Sequence, residues 1–308
     1  DWVTNENATD NTIKLKEAYW LYTNNTFLGT DVPWTASVGR RPSTDGLPIN
    51  LRNDQKENSP LSHVVDVEFD GFSFRFDTEL ATGFRGSWFK ICAGRGLTNA
   101  IPRFDMSGTA YASDDTKNVD VDLLGVIAVP YDDGQYSVHM NYARAWNLIG
   151  YDQSSLNTFG GAYYTYLTSP SATTAYDLQI ATPEFKDVGD IDYATILFKT
   201  EGIGDGISDY LDDTTAFASF AMSKTNPNSL GMLGSQDSEI GTSVWLGVNA
   251  PCPISPDDSR IGVEWNKGSK YWRSMTYGED TYAGSKIATR GQAWEVYRNQ
   301  KLTDALSF

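Results

Sequence analysis

VDLLGVIAVPYDDGQYSVHMNYARAW, Val121 to Trp146, is the stretch that decides the fold class. In its first half Val121, Leu123, Ile127, Val129 and Tyr131 fall on one side of an extended chain. Asp120, Asp122 and Ala128 fall on the other, where Leu124 and Val126 interrupt the polarity. Asp132-Asp133-Gly134 is a tight-turn signal. After it Tyr136, Val138, Met140, Tyr142 and Trp146 alternate with Gln135, Ser137, His139 and Asn141. Successive strand residues point to opposite faces, so a period of two over this length predicts a long hairpin of about ten residues per strand. One face is apolar and carries aromatics near its ends.

The same period recurs outward from this hairpin. Val65, Val67 and Phe69 alternate with Asp66 and Glu68; Phe72, Phe74 and Phe76 alternate with Ser73, Arg75 and Asp77. Asp70-Gly71 between them predicts a bend. Val244, Leu246 and Val248, then Ile261, Val263 and Trp265, repeat it, with Glu264 on the polar side of the latter. Further strands are expected near residues 13–22, 35–41, 87–93, 161–168, 175–181, 191–200, 214–223 and 292–299. Helix signals are scarce, one acidic turn over Asp205–Asp213 being the best. With no linker-like composition shift, residues 1–308 read as a single all-β domain of roughly 12–16 strands.

Two all-β architectures compete. A soluble sandwich or β-helix buries its apolar faces, whereas a transmembrane antiparallel β-barrel turns them to lipid and keeps a polar lumen. Long amphipathic strands with aromatic ends and acidic loops favour the barrel. In that reading Asp66, Glu68, Arg75, Asp77, His139 and Glu264 line the pore, and Tyr131, Tyr136, Tyr142, Trp146 and Trp265 sit at the membrane interface. The dipeptide Arg40-Arg41 ends a strand: Arg40 closes the lipid-facing stripe and snorkels to headgroups, while Arg41 continues the polar face. The following segment to Pro60 is too long for a simple turn, and we expect it to fold inward and narrow the lumen with Arg41 and Arg52.

Composition limits the function classes. Lys and Arg total 24 against 40 Asp and Glu, a net charge of -16. That opposes nucleic-acid binding, which needs a basic surface, and suggests cation preference for a pore. Two cysteines, Cys92 and Cys252, form no CxxC pair; whether they join in a disulfide is open. No apolar run reaches a transmembrane helix. The histidines His63 and His139 lack HExxH spacing, no GxSxG elbow occurs, and EGIGDG at Glu201–Gly206 lacks the helix of a dinucleotide site. The chain therefore reads as a non-enzyme without a cofactor. Metal ligation is undetermined, since acidic pairs such as Asp257/Asp258 lack EF-hand spacing.

Specific blocks add a resemblance. SVGRRPSTDGLPINLR (Ser37–Arg52), HVVDVEFDG (His63–Gly71), GVEWNKGSKYWRSM (Gly262–Met275) and SKIATRGQAWEVYRNQ (Ser285–Gln300), with a weaker CAGRG (Cys92–Gly96), resemble a family of outer-membrane, porin-like β-barrel proteins of unknown function. The resemblance implies a barrel in a Gram-negative outer membrane and transfers no catalytic or binding residue. Family members carry more chain at both ends, so a fragment and an incomplete barrel are expected.

The expected function is passive diffusion of small hydrophilic solutes or ions. Expected partners are outer-membrane lipid and those solutes, with a homo-oligomer or a partner protein left open. The alternatives are a secreted soluble carbohydrate-binding or carbohydrate-active protein, and a structural barrel or sheath around a partner.

Overall fold

The structure, a computed structural model, describes residues 17–96, 120–151, 185–203, 206–256, 258–276, 286–303 and 306–307. The expected strands at 161–168 and 175–181 lie outside them. The strands are β1 (Ala18–Asn24), β2 (Trp34–Ser43), β3 (Val65–Asp77), β4 (Trp88–Gly96), β5 (Val121–Asp132), β6 (Tyr136–Trp146), β7 (Ile149–Tyr151), β8 (Phe185–Asp187), β9 (Gly189–Glu201), β10 (Thr215–Pro227), β11 (Ile240–Pro251), β12 (Ser259–Gly268), β13 (Met275–Thr276), β14 (Gly291–Thr303) and β15 (Leu306–Ser307). The acidic turn expected near 205–213 forms a short helix over Asp209–Asp212.

One 13-stranded sheet dominates, in the order β1-β2-β3-β4-β5-β6-β9-β10-β11-β12-β14-β15, with β13 pairing parallel to β3. Every ladder along that order is antiparallel, and neighbours in space are neighbours in sequence except where β7 and β8, which pair with each other, come between β6 and β9, and β13 comes between β12 and β14. Among the described residues β1 and β15 remain the two edges and no ladder joins them, so no closed barrel is found.

The sheet has two unlike faces. Val38, Phe72, Phe74, Ile91, Val126, Tyr142, Met222 and Leu246 lie on one face and are exposed, Val38 at 60%. The opposite face carries Ser37, Ser73, His139, Asn141, Thr195, Ser219, Ser243, Glu264 and Asn266, all buried. Chain folds over part of this face: residues 44–64 between β2 and β3, and residues 269–276 and 286–290 between β12 and β14. Two clusters result. Leu47, Ile49 and Leu61 of the first segment pack with Leu197, Phe217, Trp245 and Ile287. Trp272 and Met275 of the second pack with Val65, Val121, Leu123, Ala143, Ile191 and Tyr193.

Two expectations about facing are corrected. The row Val121, Leu123, Ile127, Val129 faces the covered side, and the outward row is Leu124 and Val126. The register explains this: Val126 opposes the outward Tyr142, and Ile127 opposes the inward Asn141. A register shift between Ala128 and Tyr131 then sets Tyr131 opposite Val138, on the side of Tyr136 and Tyr142. Second, the bend at Asp70-Gly71 does not form. β3 runs unbroken for 13 residues, so Asp66 shares the parity of the outward Phe72 and Phe74 instead of lining the polar face, and it is buried where β13 pairs with β3.

Gly71 has a packing role instead. Gly39, Gly71 and Gly94 stand opposite one another across β2, β3 and β4. A Cβ on Gly71 would lie 2.1 Å from the Ala93 carbonyl oxygen, and one on Gly94 would lie 2.5 Å from both the Asp70 oxygen and the Phe69 ring. The row lets three backbones approach where side chains would hold them apart. Gly94→Val should therefore cost about 1–3 kcal/mol through overpacking, read as a lowered denaturation midpoint.

Candidate functional site

The candidate site is the covered polar face, where the two inward segments meet the wall. Residues 44–64 include the short helix Ile49–Asn53, and they touch the wall at intervals around the curve. Lys90 of β4 donates to Ser59 Oγ at 2.9 Å. Lys199 of β9 sits 3.3 Å from Glu57 and 2.6 Å from Glu201, and His139 Nδ1 of β6 lies 3.8 Å from Glu57. His63 bridges two strands, Nδ1 to Ser219 Oγ at 2.8 Å and Nε2 to Ser243 Oγ at 2.9 Å. Asn299 of β14 donates to the Leu51 carbonyl at 3.0 Å. A segment fastened to so many strands of one face lies across that face of the sheet.

The densest charge lies where both segments converge on β12 and β14. Glu264 and Glu295 stand directly opposite each other, an unfavourable pair of like charges. Lys286, from the second segment, bridges the two carboxylates, and Arg52, from the first, lies 3.7 Å from Glu295. Trp245 Nε1 donates to Glu264 Oε2 at 2.8 Å, and the Lys286 ammonium sits 5.0 Å from the centre of the Trp245 ring. Glu264 is fully buried, and its Oε1 has no hydrogen-bond partner. Asn141 and Asn266 likewise have both amide atoms buried and unpartnered.

His63 is wedged edge-on against Trp245 and Trp272, ring centres 5.6 and 5.5 Å away. Burial pushes its imidazole down to about 3, so it is neutral, with one nitrogen donating and the other accepting.

The residues singled out from sequence fall in several places. Glu264, His139, Arg75 and Asp77 are on the covered face; Arg75 and Asp77 pair with each other at 2.9 Å and Arg75 lies over Trp88. Arg52 belongs to the inward segment. The side chains of Arg41 and Glu68 are outside the described ones. Tyr131, Tyr136, Tyr142, Trp146 and Trp265 are on the outward side. Arg40 ends the outward stripe of β2 and forms a two-pronged pair with Asp70, at 2.8 and 2.9 Å. The pair begins a belt that steps along the sheet rim: Arg95 with Asp120 and Asp122, then Arg144 with Asp190 and Asp192. Aromatic rings gather at the other end, with Trp34, Phe76 and Phe89 stacked in sequence. Cys92 and Cys252 are not joined in a disulfide. Among the described residues no His, Cys, Asp and Glu group is placed to hold a metal ion, and no helix is long and apolar enough to cross a membrane.

Sequence reading missed Lys286, Lys199, Glu57 and Glu295. Lys286 and Glu57 stand in irregular segments without periodicity, and only the fold brings them to the wall.

The family described as "Protein of unknown function (DUF3373)" matches residues 1–308. The chain belongs to that family. No curated protein matches it. Among solved structures, the outer-membrane expressed OmpT of Vibrio cholerae is similar at 11% identity, with a TM-score of 0.36 over 87% of this chain and 79% of that one. A likeness this low carries no argument about function.

Two outcomes are expected for this DUF3373 chain. Lys286→Met strands two facing carboxylates and should destabilise by about 3–5 kcal/mol, with Glu264→Gln added to Lys286→Met recovering part of the loss in denaturant titrations. For His63 the unfolded chain binds a proton near 6.5 and the folded chain only near 3. Its contribution is complete above 6.5 and falls as pH drops toward 3. Protease access to residues 44–64 should rise across that window, and His63→Gln should flatten the dependence.

Proposed function

We propose that this chain is the wall of a porin-like β-barrel in the outer membrane of a Gram-negative bacterium. It passes small hydrophilic solutes or ions by diffusion, and residues 44–64 narrow the passage. The supporting observation is the inversion of ordinary burial: the exposed face is apolar and the covered face is polar and charged. The outward rows run unbroken from β2 to β14, far beyond the few hundred Å² of apolar patch usual on a soluble monomer. Strands of 11 to 13 residues, as in β3, β6, β9 and β10, meet the roughly 9–11 that a tilted strand needs to cross hydrocarbon. A belt of ion pairs at one rim and stacked aromatics at the other suit the two headgroup zones. A secreted carbohydrate-binding protein would leave this whole face in water.

A second reading has its own observation. The interior is occupied by two segments, as in a barrel that serves as a structural shell or as a sheath for a partner protein.

Single-channel recording of the detergent-extracted protein in a planar bilayer decides between them. Stable steps are expected, larger when Arg52→Gln and Glu57→Gln release the inward segment. Insertion without conductance in either form favours the structural shell. Protein that stays soluble without detergent overturns the membrane reading. Leu246→Arg, on the outward face, should cost about 2–4 kcal/mol and reduce insertion.

A further inference from the structure

Alternating strand direction sorts the connections between neighbouring strands onto two rims. Every ladder from β1 to β14 along the sheet is antiparallel, so successive connections fall at opposite ends of the strands. At the first rim lie residues 44–64, 97–120, 147–188, 228–239 and 269–290; at the second lie 25–33, 78–87, 133–135, 202–214 and 252–258. Four of the five at the first rim exceed 20 residues, and none at the second exceeds 13. The Arg40–Asp70, Arg95–Asp122 and Arg144–Asp192 pairs stand at the first rim.

Residues 44–64 also have a direction. They leave β2 and enter β3 at the first rim, yet their middle is held near the second. Glu57 lies 3.3 Å from Lys199, two residues from the end of β9. Ser59 Oγ accepts at 2.9 Å from Lys90, two residues into β4. The Leu51 carbonyl accepts at 3.0 Å from Asn299, toward the end of β14. The segment therefore reaches from one rim most of the way to the other.

That asymmetry has a meaning in the membrane reading above, on which this inference rests. Outer-membrane barrels join their strands by short turns on the periplasmic side and by longer connections outside. We propose that the first rim faces the cell exterior and the second the periplasm, so that residues 44–64 enter from outside and reach toward the periplasmic end. The surface met by a solute or partner in the medium is then residues 228–239 with the two covering segments, and the Arg–Asp belt lies among the headgroups of the outer leaflet.

The test is modification of single cysteines on intact cells by a maleimide joined to a polyethylene glycol chain too large to pass the outer membrane. In a background of Cys92→Ser and Cys252→Ser, Ser229→Cys marks the first rim and Ala81→Cys, in the β3–β4 connection, marks the second; both positions are exposed. Ser229→Cys is expected to give a gel shift in intact cells, and Ala81→Cys only once the outer membrane is permeabilised. The reverse pattern overturns the proposal, as does modification of both or of neither in intact cells when both react in detergent. Where either variant fails to fold, Asp237→Cys and Ile207→Cys, also exposed, mark the same two rims. Fractionation of the same cells keeps the two readings apart. Chain in the outer-membrane fraction with Ala81→Cys modified first defeats the sidedness alone, whereas chain recovered soluble defeats the membrane reading and the sidedness with it.

Discussion

The two-residue period of an extended chain is the constraint on which the rest depends. Each strand must assign alternate residues to two environments, and here those environments are reversed from a soluble core. Phe72 and Phe74 project outward while Ser73 between them is buried. Ser73 is buried because chain covers it, with Ser37 Oγ 2.9 Å away on the next strand. A polar wall of this kind cannot be left dry and unpaired, since each unmet group costs free energy comparable to a lost hydrogen bond. The inward segments meet that demand. They carry His63, Glu57, Arg52 and Lys286 to the wall as partners, together with apolar anchors such as Ile49 and Trp272.

Charge balance at the wall shows how closely the two segments depend on each other. Glu264 and Glu295 face each other on adjacent strands, and Lys286 lies between them. Arg52 approaches from the other segment. Moving either segment therefore alters the charge that the remaining one must neutralise, so the two are coupled through the pair of glutamates although they lie far apart in sequence. Coupling by shared counter-ions is stronger in an enclosed interior than at a surface, where water would screen it.

Strand existence was legible in the sequence because alternation is local: β5 and β6 follow from Val121 to Trp146 alone. Which face turned outward was less legible. In β5 both rows are apolar, so periodicity gave no preference between Leu123 and Leu124, and the register with β6 decided it. The Asp70-Gly71 bend failed for a related reason. Glycine in a strand serves either a turn or a close backbone approach, and only the neighbouring Gly39 and Gly94 across the sheet distinguish the second. The site was legible where it lay on strands, as with Glu264 and His139, and illegible where irregular segments supplied it. Nothing in the spacing of Lys286 or Glu57 marks a residue that reaches a wall strand distant in sequence.

The net charge of -16 suggested a preference for cations, but a total does not say where the charges lie. Much of the acidity sits in turns and on the outer rim, where Asp70, Asp120, Asp122, Asp190 and Asp192 are matched to Arg40, Arg95 and Arg144. Inside, Glu57 and Glu201 share Lys199, while Glu264 and Glu295 share Lys286 and Arg52. These groups nearly cancel. A solute in the interior meets local fields set by groups a few ångströms away, far inside a Debye length, whereas turn and rim charges act through screening salt. The total count therefore says little about the sign of any selectivity, which depends on the groups that line a passage.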